Sequence, residues 1–450
     1  MENYQRYSPS YRATETRQVM DWIKTGQCGC IVGLKGSGKS NFIRFLLRID
    51  TQQQFLGPNQ PNFIFSLVNL LSLTERSEWG VYEMVLNNLL DQFPLSGITQ
   101  ETILEVRNSQ QEIIRTRDVL MAKRAVERCV AVLCQQASRQ VVLFFDEFDA
   151  VFQELSASLF RCLRAIRDSH KDQVSYVIVA THDLADLRDD LADEVDHFYR
   201  LVRHNTCWLG PYAETDALQM AAYLASRRAL TLSDKDVAGL FQLSGGHSGL
   251  LKIILTLVWN KENNAGLLTK PAATFAHEPE IERQCQNIWE SLSKNEKADL
   301  HSFFKNDPLD ENALGHLKAR GLVRQTSSNR RMIFSTIVES FVKEQTPPSR
   351  MGTYLIRSPR IVEIEGKRIN NLTELEFELL FTLYGRHDQL CTKTDLVGQV
   401  YQQRYDATSD EMLQALVSRL RKKIEPDIQH PRHIITVHGE GYKFILPTEQ

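Results

Sequence analysis

The chain has 450 residues, too many for one compact core and enough for about three domains at the usual ~100 to 200 residues each. Its hydrophobic content of 42%, charged content of 24% and net charge of -3 exclude a basic surface that holds nucleic acid or anionic lipid over the whole molecule, so any DNA contact must be local. The longest apolar runs fall far short of the ~20 residues of a membrane helix, the N-terminus lacks a signal layout, and the eight cysteines show no second Cys/His pair at zinc spacing, so a cytoplasmic protein with reduced thiols and no membrane contact is expected.

The first strong element is "IVGLKGSGKSNF", Ile31 to Phe42. The pattern G-x-x-x-x-G-K-[ST] is filled by Gly33, Gly36, Gly38, Lys39 and Ser40, with an apolar run before it and a helix-like run after it. Such a turn aims successive backbone N–H groups at phosphate oxygens, and the following helix adds its positive end. Lys39 would reach the β and γ phosphates and Ser40 a Mg2+ ion, with Ser37 and Asn41 completing the cradle for ATP or ADP.

"RQVVLFFDEFDAVF" follows as a buried parallel strand, Val141 to Phe145, ending in two acids. Asp146 then faces the metal and Glu147 the attacking water, because open parallel sheets bind ligands beyond their carboxyl ends; a helix N-cap is the competing use of these acids. The next strand, "QVSYVIVATHD", ends in Thr181, which either senses the γ-phosphate or caps a helix near Leu184. Arg200 and Arg203 precede "HNTCWLGPY"; Arg203 is an arginine-finger candidate for a neighbouring subunit, a solvated charge being the alternative. A helical run punctuated by Gly245-Gly246-His247-Ser248-Gly249 reads as a lid, with His247 either a loop residue or a nucleotide-contacting switch.

Residues 1 to about 265 resemble AAA+-related ATPases of the STAND kind, and also archaeal-type and origin-recognition initiator ATPases, through "GLKGSGKS", "VVLFFDEFD", "YVIVATHD", "LGPY" and "LSGGHSGLLK". The resemblance implies that Gly246 and His247 contact nucleotide from the lid, and that Tyr11 and Arg12 lie in the segment covering the adenine. Serine at 248 and histidine at 182 depart from the residues usual in such proteins, proline and arginine.

Beyond the lid, three helices and two short strands around "GLVRQTSSNRRMIFS" read as a winged helix. Arg330 and Arg331 of its wing face phosphate or serve internal packing. After the linker "KEQTPPSRMG", residues 352–447 resemble the DNA-binding domain of OmpR-type response regulators, carried by "LTELEFELLFTLYGRHDQLCTKTDLVGQVY", "LQALVSRLRKKIE" and "HIITVHGEGYKFI". Leu413, Leu416, Val417 and Leu420 mark the core face of a helix, while Ser418, Arg419, Arg421, Lys422 and Lys423 crowd its end. Cations there either complement the helix dipole or belong to a recognition helix, with His438 and Lys443 on the wing. Relatives usually carry arginine where this chain has Glu411 and His438.

The expected architecture is therefore α/β: a P-loop NTPase parallel sheet (1–205) with a helical lid (206–265), followed by two winged-helix domains (280–345 and 352–447). The functional expectation is a switch in which ATP or ADP, with Mg2+, controls self-association and engagement of double-stranded DNA. A DNA-loading or initiator-type ATPase and a STAND defence sensor are the alternatives, the last requiring a separate protein trigger or effector, since no 30 to 45-residue repeat is present.

Overall fold

In the computed structural model the apolar runs "GCIVG", "VVLFF" and "VSYVIVA" become buried strands of one parallel sheet, as their β-branched and aromatic content dictates. The structure describes residues 7–446 apart from 94–97, 153, 185–192, 229, 261–267, 269, 271, 276–277, 306–308, 310, 326–330, 346–353, 358–359, 365–366, 370, 402–407, 426 and 429. The chain divides into two compact units, Met1–Arg188 with Ala192–Thr346, and Pro347–Gln450.

The first unit opens with α1 (Ala13–Lys24), β1 (Gly29–Gly33), α2 (Lys39–Leu46), α3 (Ile49–Leu56) and β2 (Phe63–Asn69). Three helices, α4 (Glu78–Leu90), α5 (Gln100–Thr116) and α6 (Val119–Ala131), lead to β3 (Gln140–Asp146). Then come α7 (Asp149–Phe152), α8 (Ala157–Ser169), β4 (Val174–Ala180), α9 (Asp193–Val202) and β5 (Thr206–Leu209). All five strands are parallel, in the order β2-β3-β4-β1-β5. Because β4 lies between β1 and β3, the residue that follows it, Thr181, falls between the glycine turn and the paired acids. Alternation along β3 sends Val142 and Phe144 to the face packed by Phe42 and Ile43 of α2. On the other face, Phe145 meets Phe148, which packs on Phe160 and Phe198.

The lid consists of α10 (Glu214–Ser226), α11 (Asp234–Ser244) and α12 (Ser248–Asn260). Ser233 and Asp236 form a capping box at the start of α11. The inner winged helix follows as α13 (Pro279–Glu290), α14 (Lys294–Lys305), α15 (Glu311–Ala319), the hairpin β6 (Val323–Gln325) and β7 (Arg331–Ile333), and α16 (Thr336–Glu344). Its buried Ile281, Cys285, Ile288, Leu317, Phe334 and Val338 belong to the same apolar cluster as lid residues Leu250 and Ile254 and sheet residues Ile31 and Val179. One hydrophobic core therefore runs from sheet through lid to winged helix, so the winged helix is seated on the module rather than tethered to it.

The second unit has its own core. Strands β8 (Tyr354–Arg357), β9 (Arg360–Ile364) and β10 (Lys367–Arg368) form an opening antiparallel sheet. They precede α17 (Glu374–Gly385), β11 (Leu390–Thr392), α18 (Lys393–Tyr401), α19 (Ser409–Ile424), β12 (Ile434–Val437) and β13 (Gly441–Phe444). Leu413, Leu416, Val417 and Leu420 are buried, as the helical spacing requires. Among the described residues no helix is long and apolar enough to cross a membrane.

Candidate nucleotide site and nucleic-acid surface

The glycine turn leaves β1 and feeds α2 through Gly36 and Gly38, whose φ values of 80° and 95° suit glycine alone. A Cβ on Gly36 would stand 2.7 Å from Nε2 of Gln284 and 2.9 Å from Cε1 of His247, so this glycine also admits two neighbours from far along the chain. Ser37 is buried in the turn, and its hydroxyl has no partner among the described residues. Lys39 is 7% exposed, and burial lowers its pKa. Its ammonium is nevertheless satisfied, donating to the Gly33 carbonyl (2.9 Å), the Leu34 carbonyl (3.4 Å) and the Thr181 hydroxyl (3.1 Å). Those are the ligands a terminal phosphate would have to displace.

Asp146 is buried at the end of β3, where burial raises its pKa while the Ser40 hydroxyl bonds its carboxylate. Burial also raises Glu147, which occupies left-handed backbone at φ 57° and lines the cavity. Asp146 accepts from the Glu147 amide (3.0 Å), while the Asp149 carboxylate accepts from the Thr181 amide (2.9 Å) and meets His182 Nδ1 at 3.2 Å. Burial pushes its pKa up, but those two hydrogen bonds outweigh it and hold the acid below the ordinary value. Ser40 and Asp146 thus form a pair of hard oxygen ligands at the cradle, suited to Mg2+, an ion that keeps most of its waters and takes the rest of its ligands from phosphate. No group of three or more His, Cys, Asp or Glu among the described residues could build an all-protein cage for a metal.

Lid and inner winged helix close on the turn through contacts that sequence spacing does not reveal. His247 is fully buried; Leu250 N–H donates to its Nδ1 (3.3 Å), which fixes the tautomer so that Nε2–H donates to the Lys35 carbonyl (3.1 Å). Burial lowers its pKa to about 4. Ser248 Oγ and the Gly249 amide both donate to the Gly36 carbonyl, at 2.8 and 3.0 Å. Gly246 accepts from the Tyr212 amide at 2.9 Å, away from the cavity. From the winged helix, Gln284 Nε2 donates to the same Lys35 carbonyl (3.1 Å). Arg320, 3% exposed, donates to the Thr181 carbonyl (3.2 Å) and to Glu296 (2.8 Å). Burial opposes ionisation of Glu296, yet Arg320 and His316 hold its pKa well below the carboxylate range.

A cavity of about 410 Å³ opens in front of the cradle. Gly36, Gly38, Lys39, Ser40, Asn41 and Glu147 line one side; Met220, Tyr223, Leu224 and Arg227, at helical spacing on α10, line the other, with Tyr212 and Lys252 nearby. Tyr11 and Arg12 lie elsewhere than the family resemblance implies. Both are 2% exposed and neither lines the cavity. Tyr11 bonds Tyr212 through its hydroxyl, and Arg12 braces the turn from behind, donating to the Ser37 and Gly210 carbonyls at 3.2 and 2.8 Å. The wall that faces the glycine turn across the cavity is instead helix α10 with Arg227 just beyond it. Arg203 sits at the amino end of β5, the opposite end of the sheet from the cradle, and its Nε donates to the His204 ring (3.1 Å). It cannot serve the site of its own chain.

In the second unit the exposed face of α19 carries Glu411, Met412, Gln414, Ala415, Ser418, Arg419 and Lys422. Two cations of the expected DNA set are engaged inside the domain, a correction to their reading as DNA groups. Arg421 bonds the Ile434 carbonyl and the Thr436 hydroxyl and lies over the Tyr442 ring. Lys423 pairs with buried Glu376 at 2.6 Å and bonds the Asn371 carbonyl. Both fasten α19 to its neighbours because their stems leave the helix toward the core side. His438 is exposed at the tip of the β12–β13 hairpin, and Lys443 is half-buried within β13. Arg331 is exposed on β7, while Arg330 lies outside the described residues.

Comparison with known proteins adds two family matches. The family described as Novel STAND NTPase 1 matches residues 10–344, and that described as Transcriptional regulatory protein, C terminal, matches residues 366–444. The DNA-binding dual master transcriptional regulator RpaA of Synechocystis sp. is 42% identical over 86 residues, 19% of this chain and 34% of that protein. The DNA-binding response regulator MtrA of Mycolicibacterium smegmatis is 39% identical over 79 residues, 18% of this chain and 34% of that one. The chain thus spans about a third of the length of the curated relatives it matches. Among solved structures, the Walker-type ATPase PabY2304 of Pyrococcus abyssi is similar over 74% of this chain and 95% of its own, at 13% identity and TM-score 0.46. The RstA DNA-binding domain of Klebsiella pneumoniae, in complex with the RstA box, is similar over 21% of this chain and 90% of its own, at 27% identity and TM-score 0.19.

Proposed function

We propose that this chain, which belongs to the novel STAND NTPase 1 family, is an ATPase transcription regulator in which ATP or ADP at the glycine turn sets self-association and, through it, DNA binding by the outer winged helix. The observation that carries this reading is the convergence of Gln284, His247 and Arg320 on the Lys35 and Thr181 carbonyls. The phosphate cradle and the seat of the inner winged helix are the same few residues. A triphosphate that draws Lys39 off Thr181 changes the surface on which the winged helix rests.

In this reading the turn amides and Lys39 hold the phosphates, and the α10 wall holds the base. Ser40 and Asp146 hold Mg2+, which when bound neutralises phosphate charge. Glu147 orients the attacking water, Thr181 and His247 register the terminal phosphate, and hydrolysis is slow and regulatory. Arg203 serves the site of a neighbouring copy. Association then presents several outer domains to repeated half-sites of double-stranded DNA, raising avidity by orders of magnitude without any new contact. The protein acts in the cytoplasm, and any protein trigger or effector is a separate chain.

The test is light scattering of wild type and Lys39→Ala with ATP, ADP and no nucleotide, paired with DNA binding to defined and random duplex over a salt series. The expected result is assembly and sequence-selective binding that change with nucleotide in wild type only. Length-dependent, sequence-blind binding would instead mark a DNA loader. DNA binding indifferent to nucleotide would end the proposal.

A further inference from the structure

At the amino end of the parallel sheet, remote from the glycine turn, a second cavity of about 700 Å³ is walled by α8, α9 and the approaches to β1 and β5. Its lining includes Arg164, Arg167, Arg200 and Arg203 with His197 and His204, and among the described residues no carboxylate lines it. Two acids stand at its margin: Asp168 is turned to Arg164 Nε at 2.7 Å, and Asp172, largely exposed, is 3.8 Å from Arg167. Asp168 and Asp172 offset part of this charge from the margin, and the concavity itself is lined by cations, a surface that attracts anions.

The frame is already built. Arg164 Nη1 donates to the His197 carbonyl (3.1 Å), tying α8 to α9, and Arg167 Nη2 donates to the Gly26 carbonyl (2.7 Å), tying α8 to the start of β1. Asn205 closes the remaining side by donating to the Cys28 carbonyl at 2.9 Å. Arg167 is 9% exposed, and its Nε has no hydrogen-bond partner among the described residues. A buried N–H of a charged group left without an acceptor is costly.

We infer that this cavity is a second anion site, selective for the adjoining phosphates of a small polyphosphate. Several arginines in fixed positions suit a multiply charged ligand with planar pairs of acceptor oxygens, which phosphate groups supply and a single carboxylate does not. A volume of about 700 Å³ is that of a small-molecule site. The site is independent of the glycine turn and goes beyond the role of Arg203 toward a neighbouring copy, since Arg164 and Arg167 are required here and have no part there. The polyphosphate is either inorganic or carried by a nucleoside, and the two sources are separable by experiment.

The test uses the full chain carrying Lys39→Ala, with Lys39→Met as a second background, and sodium tripolyphosphate as the probe in calorimetric titration. One tripolyphosphate per chain should bind, at least tenfold more weakly after Arg203→Ala or Arg164→Ala, and more weakly still at high salt. Competition by ADP would identify a nucleoside polyphosphate as the ligand class, and its failure to compete a bare one; either outcome keeps the site. No binding in both Lys39 backgrounds would overturn the inference. So would binding untouched by Arg164→Ala, or binding seen only when a second copy with an intact glycine turn is added.

Discussion

Lys39 and Thr181 are joined by one hydrogen bond, 3.1 Å from ammonium to hydroxyl, between the first residue of α2 and the residue that follows β4. The lysine of the glycine turn is thereby satisfied by protein oxygens, and the side chain at the end of β4 is one of them. Replacing Thr181 with valine keeps the shape and removes the oxygen. If Thr181 registers the terminal phosphate as proposed, nucleotide affinity should change by no more than about threefold, because the turn amides remain, while hydrolysis should fall at least tenfold. Lys39→Ala should instead abolish binding. Filter binding of labelled ATP and single-turnover hydrolysis separate the two effects, and equal losses in both variants would contradict the assigned roles.

The winged-helix contacts differ in what their removal leaves behind. Gln284→Ala deletes an exposed amide bonded to the Lys35 carbonyl, worth about 1 kcal/mol. It should speed hydrogen exchange in α13 several-fold and lower the unfolding midpoint of the first unit only slightly. Arg320→Ala is of another order, because it takes the guanidinium from a buried carboxylate that keeps only His316 and the Ser293 amide, and it should cost about 3 kcal/mol. Chemical denaturation should therefore rank the two far apart, and a similar ranking of both would show that Glu296 is not held by Arg320.

His247 sets a pH limit on the closed lid. Its burial depresses the pKa from the ordinary 6.5 to about 4, so the unfolded chain takes up the proton before the folded one does. Stability is thus full above pH 6.5 and is lost as pH falls toward 4, where the cost levels off at about 3 kcal/mol. Carboxylates also respond to acid, so the measurement is the difference between wild type and His247→Gln. That difference should shrink between pH 6.5 and 4; a constant difference would mean that His247 does not titrate as assigned.

What was legible in the sequence followed from local chemistry. The glycine turn, the acids closing β3 and the alternation of α19 all state their structure within a dozen residues. Strand β2 carried no such statement: it is an edge strand whose Phe63, Phe65 and Leu67 remain half-buried, and no site residue marks its end. Gln284 and Arg320 were illegible because their partners are 249 and 139 residues away and an ordinary helix gives no sign of them. The cavity wall on α10 was hidden for a related reason, since Met220, Tyr223, Leu224 and Arg227 read as an unremarkable amphipathic stripe. Arg421 and Lys423 show the converse, for cations at a helix end look alike in sequence whether they meet a phosphate or a carbonyl of their own domain.

That last distinction makes the outer domain testable residue by residue. Arg419 and Lys422 are exposed on α19, whereas Arg421 fastens the helix to β12 and Lys423 to Glu376. If α19 enters a groove, Arg419→Ala and Lys422→Ala should each weaken binding nearly uniformly across sequences and reduce the slope of log affinity against log salt by about one. Arg421→Ala should leave that slope unchanged and lower the unfolding midpoint of the second unit, because the Ile434 carbonyl and Thr436 lose their donor. Glu411→Arg, which places a cation where the helix now presents a carboxylate, should strengthen binding to random duplex and steepen the slope. Gel-shift titrations at four salt concentrations, read beside thermal unfolding, decide the matter. A slope that moves with Arg421 and not with Arg419 would mean that a different face of the domain meets DNA.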